Sequence, residues 1–293
     1  MAEGRIVKAL SGFYYVKSGD KLYQCRGRGV FRKNKTTPLV GDFVQFDISD
    51  EYEGYVMKIE KRKNELVRPP IANIDQAIIV SSAAKPDFST KLLDRFLVLI
   101  EAKDIKPIII INKLDLATAS LKEELENYRE EYKRIGYDVE LLSADELTET
   151  SDLKTYFPGK VSVIAGQSGV GKSSLLNGLM PSLFLPTGEI SESLGRGRHT
   201  TRHVELVEVN KGLVADTPGF SSLEFDEIAL EELGDCFPEI SYRSADCKFR
   251  GCSHNKEPKC AVKQAVSDGE IALYRYEHYL QFYEEIKLRK PRY

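Results

Sequence analysis

The chain has few of the features that mark membrane proteins or disulfide-rich proteins. Its 293 residues include only 5 cysteines, and its longest apolar stretches, such as Phe96–Ile100 and Ile108–Ile111, are far too short to span a bilayer. Met1–Lys8 has no apolar core of the kind that a signal peptide needs. We therefore expect a soluble, cytoplasmic protein whose clustered cysteines suit a metal better than disulfides.

The chain also carries little net charge, formally -3, so its overall charge identifies no partner. The distribution of charge is more informative. Residues 1–68 contain 14 Lys and Arg against 9 Asp and Glu, a balance of +5 that leaves -8 for the remainder. The N-terminal region is therefore the part suited to a polyanion. Hydrophobic residues make up 42% of the chain, enough for a globular core.

Residues 1–64 have the pattern of a small β-barrel, with five short β-prone runs separated by Gly, Asp and Pro: Arg5–Leu10, Phe13–Val16, Leu22–Cys25, Phe43–Ile48 and Tyr55–Ile59. This pattern predicts an OB-type barrel, a common nucleic-acid-binding fold. The loop at residues 26–35 contains five basic residues and no acidic one. Its candidate RNA contacts are Arg26, Arg28, Phe31, Arg32, Lys33 and Lys35. The alternative is a solvated hairpin that binds nothing.

Residues 65–222 have a different hydrophobic pattern, which predicts a doubly wound α/β domain. Buried apolar runs occur at Ile74–Val80, Pro107–Ile111, Val139–Leu142, Val161–Ala165 and Leu213–Ala215. Amphipathic helical stretches such as Thr90–Lys103 and Leu121–Ile135 separate them, which indicates a parallel sheet. Val204–Val209 is expected to add an antiparallel edge strand. Residues 223–293 become acidic, then Cys-rich, then helical, and predict a small third domain ending in a helix over Tyr274–Arg289.

The segment Gly-Gln-Ser-Gly-Val-Gly-Lys-Ser at 166–173 matches the phosphate-binding loop of nucleotide hydrolases. It follows an apolar strand and precedes a helix start, where backbone N–H groups can surround phosphates. Lys172 is expected to reach the β- and γ-phosphates, and Ser173 to bind Mg²⁺. The predicted nucleotide contacts in this loop are Gly166, Gln167, Ser168, Gly169, Val170, Gly171, Lys172, Ser173 and Ser174.

The motif Asn112-Lys113-Leu114-Asp115 follows the apolar run that ends at residue 111 and points to guanine. The Asp115 carboxylate can accept hydrogen bonds from N1–H and the 2-amino group of guanine, and adenine offers neither. Ser143 and Ala144 are expected to add a backbone N–H toward the base oxygen. Alone, such a short pattern also fits an ordinary turn after a strand. Together with the phosphate loop it predicts GTP.

Two further segments are expected to complete the site. Asp216 is expected in the outer coordination sphere of Mg²⁺, and the Gly219 N–H near the γ-phosphate. Thr200 or Thr201 is expected to complete the Mg²⁺ shell, and the sequence does not choose between them. Phe220 stands where many GTPases place a water-orienting Gln, so we expect slow hydrolysis without a partner.

The order of the motifs is unusual, because the base-reading residues precede the phosphate loop. A circular permutation accounts for this order, since domain termini often lie close together in space. The 216–219 segment then leads directly into the C-terminal region. This connection suggests the hypothesis that nucleotide state moves that region.

A cluster of metal-ligand residue types lies near the C-terminus, at Cys247, Cys252, His254 and Cys260. Three thiolates and one imidazole make a complete tetrahedral set for structural Zn²⁺, and four protein ligands leave no open position for catalysis. The alternative is a group of free cysteines. Cys25 and Cys236 stand apart and are interpreted as small buried apolar residues.

With these motifs combined, the chain resembles the RsgA (YjeQ/YloQ) family of circularly permuted GTPases over nearly its whole length. The resemblance implies a circularly permuted P-loop GTPase domain between an OB-type barrel and a helical zinc domain. It implies a protein that binds the small ribosomal subunit and its rRNA late in maturation. It also implies that this subunit stimulates hydrolysis of GTP to GDP and phosphate. We expect a monomer with one Zn²⁺, Mg²⁺ with GTP, and no membrane partner.

The residues alone are also compatible with two other classes of protein. One is a signalling switch whose barrel and metal module bind only proteins. The other is an RNA-binding module with a vestigial nucleotide site.

Overall fold

The computed structural model describes residues 1–29, 31, 36–144, 152–179, 204–216 and 223–289. Contacts within the chain divide it into two compact units, one formed by Met1–Ile78 with Ser143–Ser221 and the other by Ile79–Leu142 with Ser222–Tyr293. Among the described residues, no helix combines the length and apolar character needed to cross a membrane.

The first unit begins with the predicted five-stranded barrel. Its strands are β1 (Ala2–Leu10), β2 (Phe13–Ser18), β3 (Lys21–Gly27), β4 (Phe43–Ile48) and β5 (Glu53–Ile59). They are ordered β1-β2-β3-β5-β4, and β1 also pairs with β4, which closes the barrel. Alternating residues such as Ile6, Val16, Cys25 and Phe46 point inward and are completely buried. The barrel prediction is therefore confirmed.

Five further strands lie wholly in the first unit: β6 (Glu65–Val67), β7 (Pro70–Ala72), β11 (Val161–Ala165), β12 (Val204–Val209) and β13 (Gly212–Asp216). β6 and β7 form a small hairpin of their own. β11 runs parallel to β13, and β12 runs antiparallel to β13. The antiparallel strand predicted at 204–209 is therefore present.

β12 differs from the prediction in one respect, because it does not lie at an edge. Strand β1 of the barrel pairs antiparallel with its other side, where Lys8 is opposite Glu205 and Ala9 is opposite Val204. The Lys8 ammonium also donates to Glu205 Oε2 at 2.7 Å. An exposed strand edge is a site of unwanted pairing, and here the barrel covers part of it.

The start of β11 is fixed by two polar residues where β8 (Gln76–Ser82) begins, Asp75 just before that strand and Gln76 at its first position. Asp75 Oδ2 accepts from the Val161 N–H at 2.7 Å, and the Asp75 N–H donates to the Val161 carbonyl at 2.8 Å. The Gln76 amide donates to Ser162 Oγ at 2.9 Å. Burial works to raise the pKa of Asp75, but the hydrogen bonds from Lys63 and Val161 lower it overall. The strand that leads into the phosphate loop is thus held by charge-assisted hydrogen bonds.

The second unit contains the end of β8 (Gln76–Ser82), β9 (Lys106–Asn112) and β10 (Asp138–Leu141) in the order β10-β9-β8, and β9 runs parallel to β10. Helix α1 (Thr90–Glu101) begins at Ser89, whose hydroxyl accepts from the Leu92 N–H at 3.2 Å. Helix α2 (Ala119–Ile135) ends at Gly136, which has a φ of 116°. An N-cap such as that of Ser89 is worth about 1 kcal/mol. Both helices start and end within two residues of the predicted bounds.

The C-terminal region belongs to the same unit. A 3₁₀ turn at Leu230–Cys236 is followed by α4 (Pro238–Ser244), α5 (Ala261–Ser267) and α6 (Leu273–Leu288), while α3 (Lys172–Leu179) lies in the first unit. Phe237, Phe282 and Ile286 pack into one buried cluster that also includes Val98 of α1. The C-terminal region therefore shares its core with the first helix of the second unit.

A buried group of charged residues accompanies this shared core. The Arg275 guanidinium donates to Asp94 Oδ1 at 2.5 Å and to Glu239 Oε1 at 2.7 Å. Asp94 also accepts from the Tyr132 hydroxyl, and its other oxygen lies 2.6 Å from His278 Nδ1. The side chains of Arg275 and Asp94 are 0% exposed. Burial alone would lower the pKa of Arg275, but the two carboxylates raise it. No local sequence pattern predicts this cluster.

Candidate nucleotide site and metal centre

The phosphate loop has the predicted strand–loop–helix setting. It leaves β11, in which every residue is buried, and enters α3 at Lys172. Gly166, Gly169 and Gly171 have φ values of 143°, 81° and 94°, a backbone region that glycine adopts without steric cost. The Leu175 N–H donates to the Gly171 carbonyl at 2.9 Å, so hydrogen bonding of the helix starts inside the loop.

The side chain of Lys172 turns back onto the loop. Its ammonium donates to the Gly166 carbonyl at 2.8 Å and to the Gln167 carbonyl at 2.7 Å. Among the described residues, Lys172 has no carboxylate partner, and burial lowers its pKa. A partly buried ammonium held only by carbonyls gains from any anion that reaches it. The loop therefore has the electrostatics of a phosphate site.

The other predicted contacts of the loop differ in exposure. Gln167 and Ser168 are exposed, whereas Val170 is buried against the protein at 2% exposure. Ser173 and Ser174 are half-buried in the first turn of α3, next to Lys172.

The base-reading motif lies in the second unit, where β9 ends. Asn112 is 1% exposed, and its backbone carbonyl accepts from the Ala83 N–H at 2.8 Å. Lys113 has a φ of 62°, and its ammonium donates to the Lys85 carbonyl at 2.6 Å. This left-handed conformation turns the chain sharply after the strand. The Lys85 carbonyl was missed by sequence reasoning, because a backbone acceptor has no side-chain signature.

Main-chain hydrogen bonds also join the end of β9 to the end of β10. The Leu142 N–H donates to the Ile111 carbonyl at 3.0 Å, and the Leu114 N–H donates to the Leu142 carbonyl at 3.2 Å. Asp115 follows in a 3₁₀ turn and is exposed. Ser143 and Ala144, which follow Leu142 in the chain, are each 7% exposed. In open α/β sheets, ligands bind at the carboxyl ends of the strands, which is where these residues stand.

Several predicted contacts cannot be placed. Thr200, Thr201, Gly219 and Phe220 lie outside the described residues, and Asp216 is described only as the last residue of β13. Their assigned roles stay predictions.

The predicted metal ligands come together at one point. The ligand atoms of Cys247, Cys252, His254 and Cys260 all lie within 4.8 Å of one another. Cys247 Sγ is 3.8 Å from Cys260 Sγ, and His254 Nδ1 is 3.6 Å and 3.4 Å from these two sulfurs. A tetrahedral zinc with Zn–S bonds of about 2.3 Å separates two sulfurs by about 3.8 Å. The four side chains therefore fit a zinc ion.

The chemistry of the thiols supports the same interpretation. Burial, together with the neighbouring Cys260 and Cys247, raises the pKa of Cys252 to about 12. Burial likewise raises the pKa of Cys260. Three crowded thiolates are compatible only when a cation compensates their charge.

Other residues hold the metal loop in place. Glu257 accepts from the Ser253 N–H at 2.9 Å and the Asn255 N–H at 3.1 Å. The Tyr276 hydroxyl of α6 donates to the His254 carbonyl at 2.6 Å, and the Tyr279 hydroxyl donates to the Ser253 carbonyl at 2.8 Å. The last helix thus fixes the backbone that carries the candidate ligand His254.

Part of the predicted basic loop of the barrel is described. Arg26 and Arg28 are exposed, Phe31 is half-buried, and Arg32, Lys33 and Lys35 lie outside the described residues. The Arg26 guanidinium carbon is 5.0 Å from the centre of the Phe13 ring. Phe13 was not among the predicted contacts, although it lies opposite Arg26 in the β2–β3 hairpin.

Comparison with known proteins places these features in one family. Residues 59–226 match the family model described as RsgA GTPase, and residues 3–56 match the RsgA N-terminal domain. A protein of Oceanobacillus iheyensis named small ribosomal subunit biogenesis GTPase RsgA 2 is 64% identical, with 100% of both chains covered. The small ribosomal subunit biogenesis GTPase RsgA of Bacillus subtilis is 61% identical, again with 100% of both chains covered.

Two solved structures are similar over the full length. The crystal structure of YloQ, described as a circularly permuted GTPase, has a TM-score of 0.87 at 56% identity and covers 100% of this chain and 97% of that one. YjeQ from Thermotoga maritima also has a TM-score of 0.87, at 36% identity, with 99% of both chains covered. The fold and the site define a circularly permuted GTPase. The chain belongs to the RsgA GTPase family, as its motifs predicted.

Proposed function

We propose that the protein binds GTP through two sets of residues. Asn112, Lys113, Asp115, Ser143 and Ala144 hold the guanine, and the loop from Gly166 to Ser174 holds the phosphates. The observation that carries this proposal is the Lys172 ammonium, which is partly buried, has a lowered pKa and, within the described parts of the chain, bonds only to loop carbonyls. Asp115 is exposed, so the base itself desolvates its carboxylate on binding.

Hydrolysis in this proposal requires Mg²⁺, which Ser173 and either Thr200 or Thr201 coordinate. Asp216 stands in the outer coordination sphere, and the Gly219 N–H contacts the γ-phosphate. Water attacks the γ-phosphorus, the bond between this phosphorus and the β–γ bridging oxygen breaks, and GDP and inorganic phosphate are released with one proton to solvent. Lys172 neutralises charge on the phosphate oxygens, and Mg²⁺ would supply further positive charge there when bound. Phe220 cannot align the water, so hydrolysis depends on a bound partner.

The partner in this proposal is the small ribosomal subunit, during its late maturation in the cytoplasm. Relatives at 60–64% identity carry the name small ribosomal subunit biogenesis GTPase and match over their whole length. The exposed Arg26 and Arg28 suit contact with rRNA. The protein acts as a monomer, with domains at residues 1–64, 65–222 and 223–293.

GTP turnover with and without purified small subunits tests the proposal. We expect slow turnover alone and stimulation of at least tenfold with the subunit. Lys172→Ala should abolish turnover in both conditions, because the phosphate charge is no longer neutralised. Lys160→Ala is the matched control, since Lys160 is an exposed lysine just before β11 and should have no effect. Fast turnover by the protein alone would contradict the role given to Phe220.

The same measurements separate the alternatives. A switch that binds only proteins would show no stimulation by the subunit and no change in RNA binding when the basic loop is neutralised. A vestigial nucleotide site would leave Lys172→Ala indistinguishable from the unchanged protein.

The cluster at Cys247, Cys252, His254 and Cys260 is proposed to hold one structural Zn²⁺ per chain. The spacing of the sulfur and nitrogen atoms supports this assignment. Metal analysis of the purified protein should give one zinc per chain, and Cys252→Ser should reduce this value. Cys25→Ala, which removes a thiol buried in the barrel, should leave it unchanged.

A further inference from the structure

A tight turn follows strand β8 and lies beside the base-reading motif. The Ala83 N–H donates to the Asn112 carbonyl at 2.8 Å, which brings the end of β8 next to the end of β9. The chain then turns over residues 84–87, before helix α1 begins. The Lys85 carbonyl in this turn accepts from the Lys113 ammonium at 2.6 Å. The turn is therefore part of the immediate surroundings of Lys113.

A second hydrogen bond holds the turn to the strand before it. The Ser82 hydroxyl donates to the Ala84 carbonyl at 2.5 Å, and Ser82 is 3% exposed. A hydrogen bond that is shielded from water in this way fixes the peptide that leads into Lys85. Its neighbour Ser81 is half-buried and, because side chains alternate along a strand, projects from the opposite face of β8. Of these two adjacent serines, Ser82 is therefore the one that supports the turn.

Both lysines of the contact have a left-handed backbone conformation. Lys85 has a φ of 55° and Lys113 has a φ of 62°. This conformation is unfavourable for a residue that carries a β-carbon, and it persists where the surrounding contacts enforce it. Two such residues on either side of one hydrogen bond indicate a structure that is built to fix the Lys113 side chain.

A fixed Lys113 side chain favours binding of a base. A free lysine side chain loses rotamer freedom when a ligand immobilises it, and that loss weakens binding. The Lys85 carbonyl holds the ammonium in one place, so the aliphatic stem is already extended before the nucleotide arrives. Such a stem offers an apolar surface to the flat face of a base while its ammonium stays hydrogen-bonded.

We infer that Ser82 and Lys85 are positioning residues of the guanine site. The Ser82 hydroxyl fixes the turn, and the Lys85 carbonyl fixes the Lys113 side chain against which the base packs. This inference rests on the proposed function and deepens it, because it adds two residues from outside the base-reading motif. Both act on the base and not on the phosphates, so they affect the affinities for GDP and GTP equally.

Titration of the full chain with a fluorescent GDP analogue tests the inference. Ser82→Ala removes the hydrogen bond to the Ala84 carbonyl and should weaken binding about 2- to 12-fold, the range given by loss of one hydrogen bond. Ser81→Ala is the matched control, because it makes the same change on the other face of β8. It should alter the affinity by less than about twofold. Circular dichroism should show that both variants are folded.

A double-mutant cycle tests whether Ser82 acts through Lys113. Lys113→Met keeps an aliphatic stem but removes the ammonium that the Lys85 carbonyl holds, and it should weaken binding without any change at Ser82. In the Lys113→Met background, Ser82→Ala should add less than about twofold, because the contact that it supports is already lost. A purely structural role of Ser82 predicts the same factor in both backgrounds.

Turnover of GTP in the presence of small subunits separates positioning from catalysis. Contacts to the base are the same in the ground state and in the transition state, so their loss raises KM and leaves kcat unchanged. Ser82→Ala should therefore raise the KM for GTP by about the factor found for GDP, with kcat within about twofold of the unchanged protein.

Three results would overturn the inference. One is GDP binding by Ser82→Ala that equals binding by Ser81→Ala, and another is normal GDP binding by Lys113→Met. The third is an equal factor for Ser82→Ala with and without Lys113→Met. Asp115→Asn in the same titration tells the two proposals apart. Normal GDP binding by Asp115→Asn defeats the proposed guanine site, whereas weak binding by Asp115→Asn with normal binding by Ser82→Ala defeats only this inference.

Discussion

The barrel and the C-terminal region are each attached to a neighbouring element of their own unit, but by different chemistry. The barrel meets β12 through a short main-chain ladder from β1 and two Lys–Glu pairs, Lys8–Glu205 from β1 and Lys17–Glu208 from β2, all of whose side chains are at least 31% exposed. The C-terminal region meets α1 through a shared apolar core and the Arg275–Asp94 pair, whose side chains are 0% exposed.

The two attachments differ in how much their side chains contribute to stability. Exposed ion pairs are individually weak and are screened by salt, so the side chains of the barrel seam add little stability. A buried ion pair is different, because removal of one partner leaves the other charge buried without a counter-ion. We therefore expect α1 and the C-terminal region to move as one body. If nucleotide state moves the C-terminal region, α1 moves with it.

The largest expected effect concerns the metal centre proposed at Cys247, Cys252, His254 and Cys260 of the C-terminal region. Structural zinc contributes about 10 kcal/mol or more to the folding of small metal-binding peptides, so a strong chelator should destabilise this region more than any single substitution in either attachment. Limited proteolysis should then cut near residues 247–260 while the barrel stays intact, and added zinc should reverse the change. Unaltered proteolysis after complete removal of the metal would show that the apolar core alone holds the region.

The second prediction concerns Arg275. Arg275→Met leaves Asp94 and Glu239 buried without their cation, so the free energy of unfolding should fall by about 3–5 kcal/mol. Urea unfolding followed by circular dichroism measures the loss. Arg243→Met is the control, because Arg243 is half-exposed and pairs with the exposed Glu270; its loss should be less than about 1 kcal/mol. Similar losses for the two variants would remove the contrast between buried and exposed pairs.

The smallest effect is expected at the barrel seam. Lys8→Ala should lower the free energy of unfolding by less than about 1 kcal/mol, because both partners in the Lys8–Glu205 pair are partly solvated. In about 1 M salt, where the screening length falls to about 3 Å, the difference should vanish. Urea unfolding at low and high salt checks this. A larger loss that persists in high salt would mean that Lys8 stabilises β12 by packing rather than by charge.

Sequence patterns predicted the barrel, the parallel strands and the phosphate loop because each depends on residues that are close together in the sequence. Alternation along Phe43–Ile48 is enough to predict a strand, and the glycines at 166–171 predict a loop without knowledge of distant residues. The buried pair could not be predicted in this way, since Asp94 and Arg275 are 181 residues apart and a charged residue on a helix ordinarily faces solvent. The pairing of β1 with β12 could not be predicted either, because Val204–Val209 on its own has the pattern of an edge strand.

The outer face of the barrel likewise contains an arrangement that the sequence could not predict. Arg26 was predicted from the charge of its loop, whereas Phe13 and Tyr55 are ordinary strand residues in the sequence. Only the register of β2, β3 and β5 brings the three together. A register cannot be read from composition, because it depends on turns and on inward-facing residues elsewhere in the barrel.

Helix α6 contacts both helix α1 and the loop that carries the candidate metal ligands. Arg275 and His278 reach Asp94 of α1, while Tyr276 and Tyr279 hold the carbonyls of the metal loop. A nonsense mutation before Leu273 would remove all four contacts together. Such a truncated product would expose the core around Phe237 and Val98 and become a substrate for cellular quality control. A loss-of-function allele of this kind should therefore show as missing protein and not as an altered enzyme.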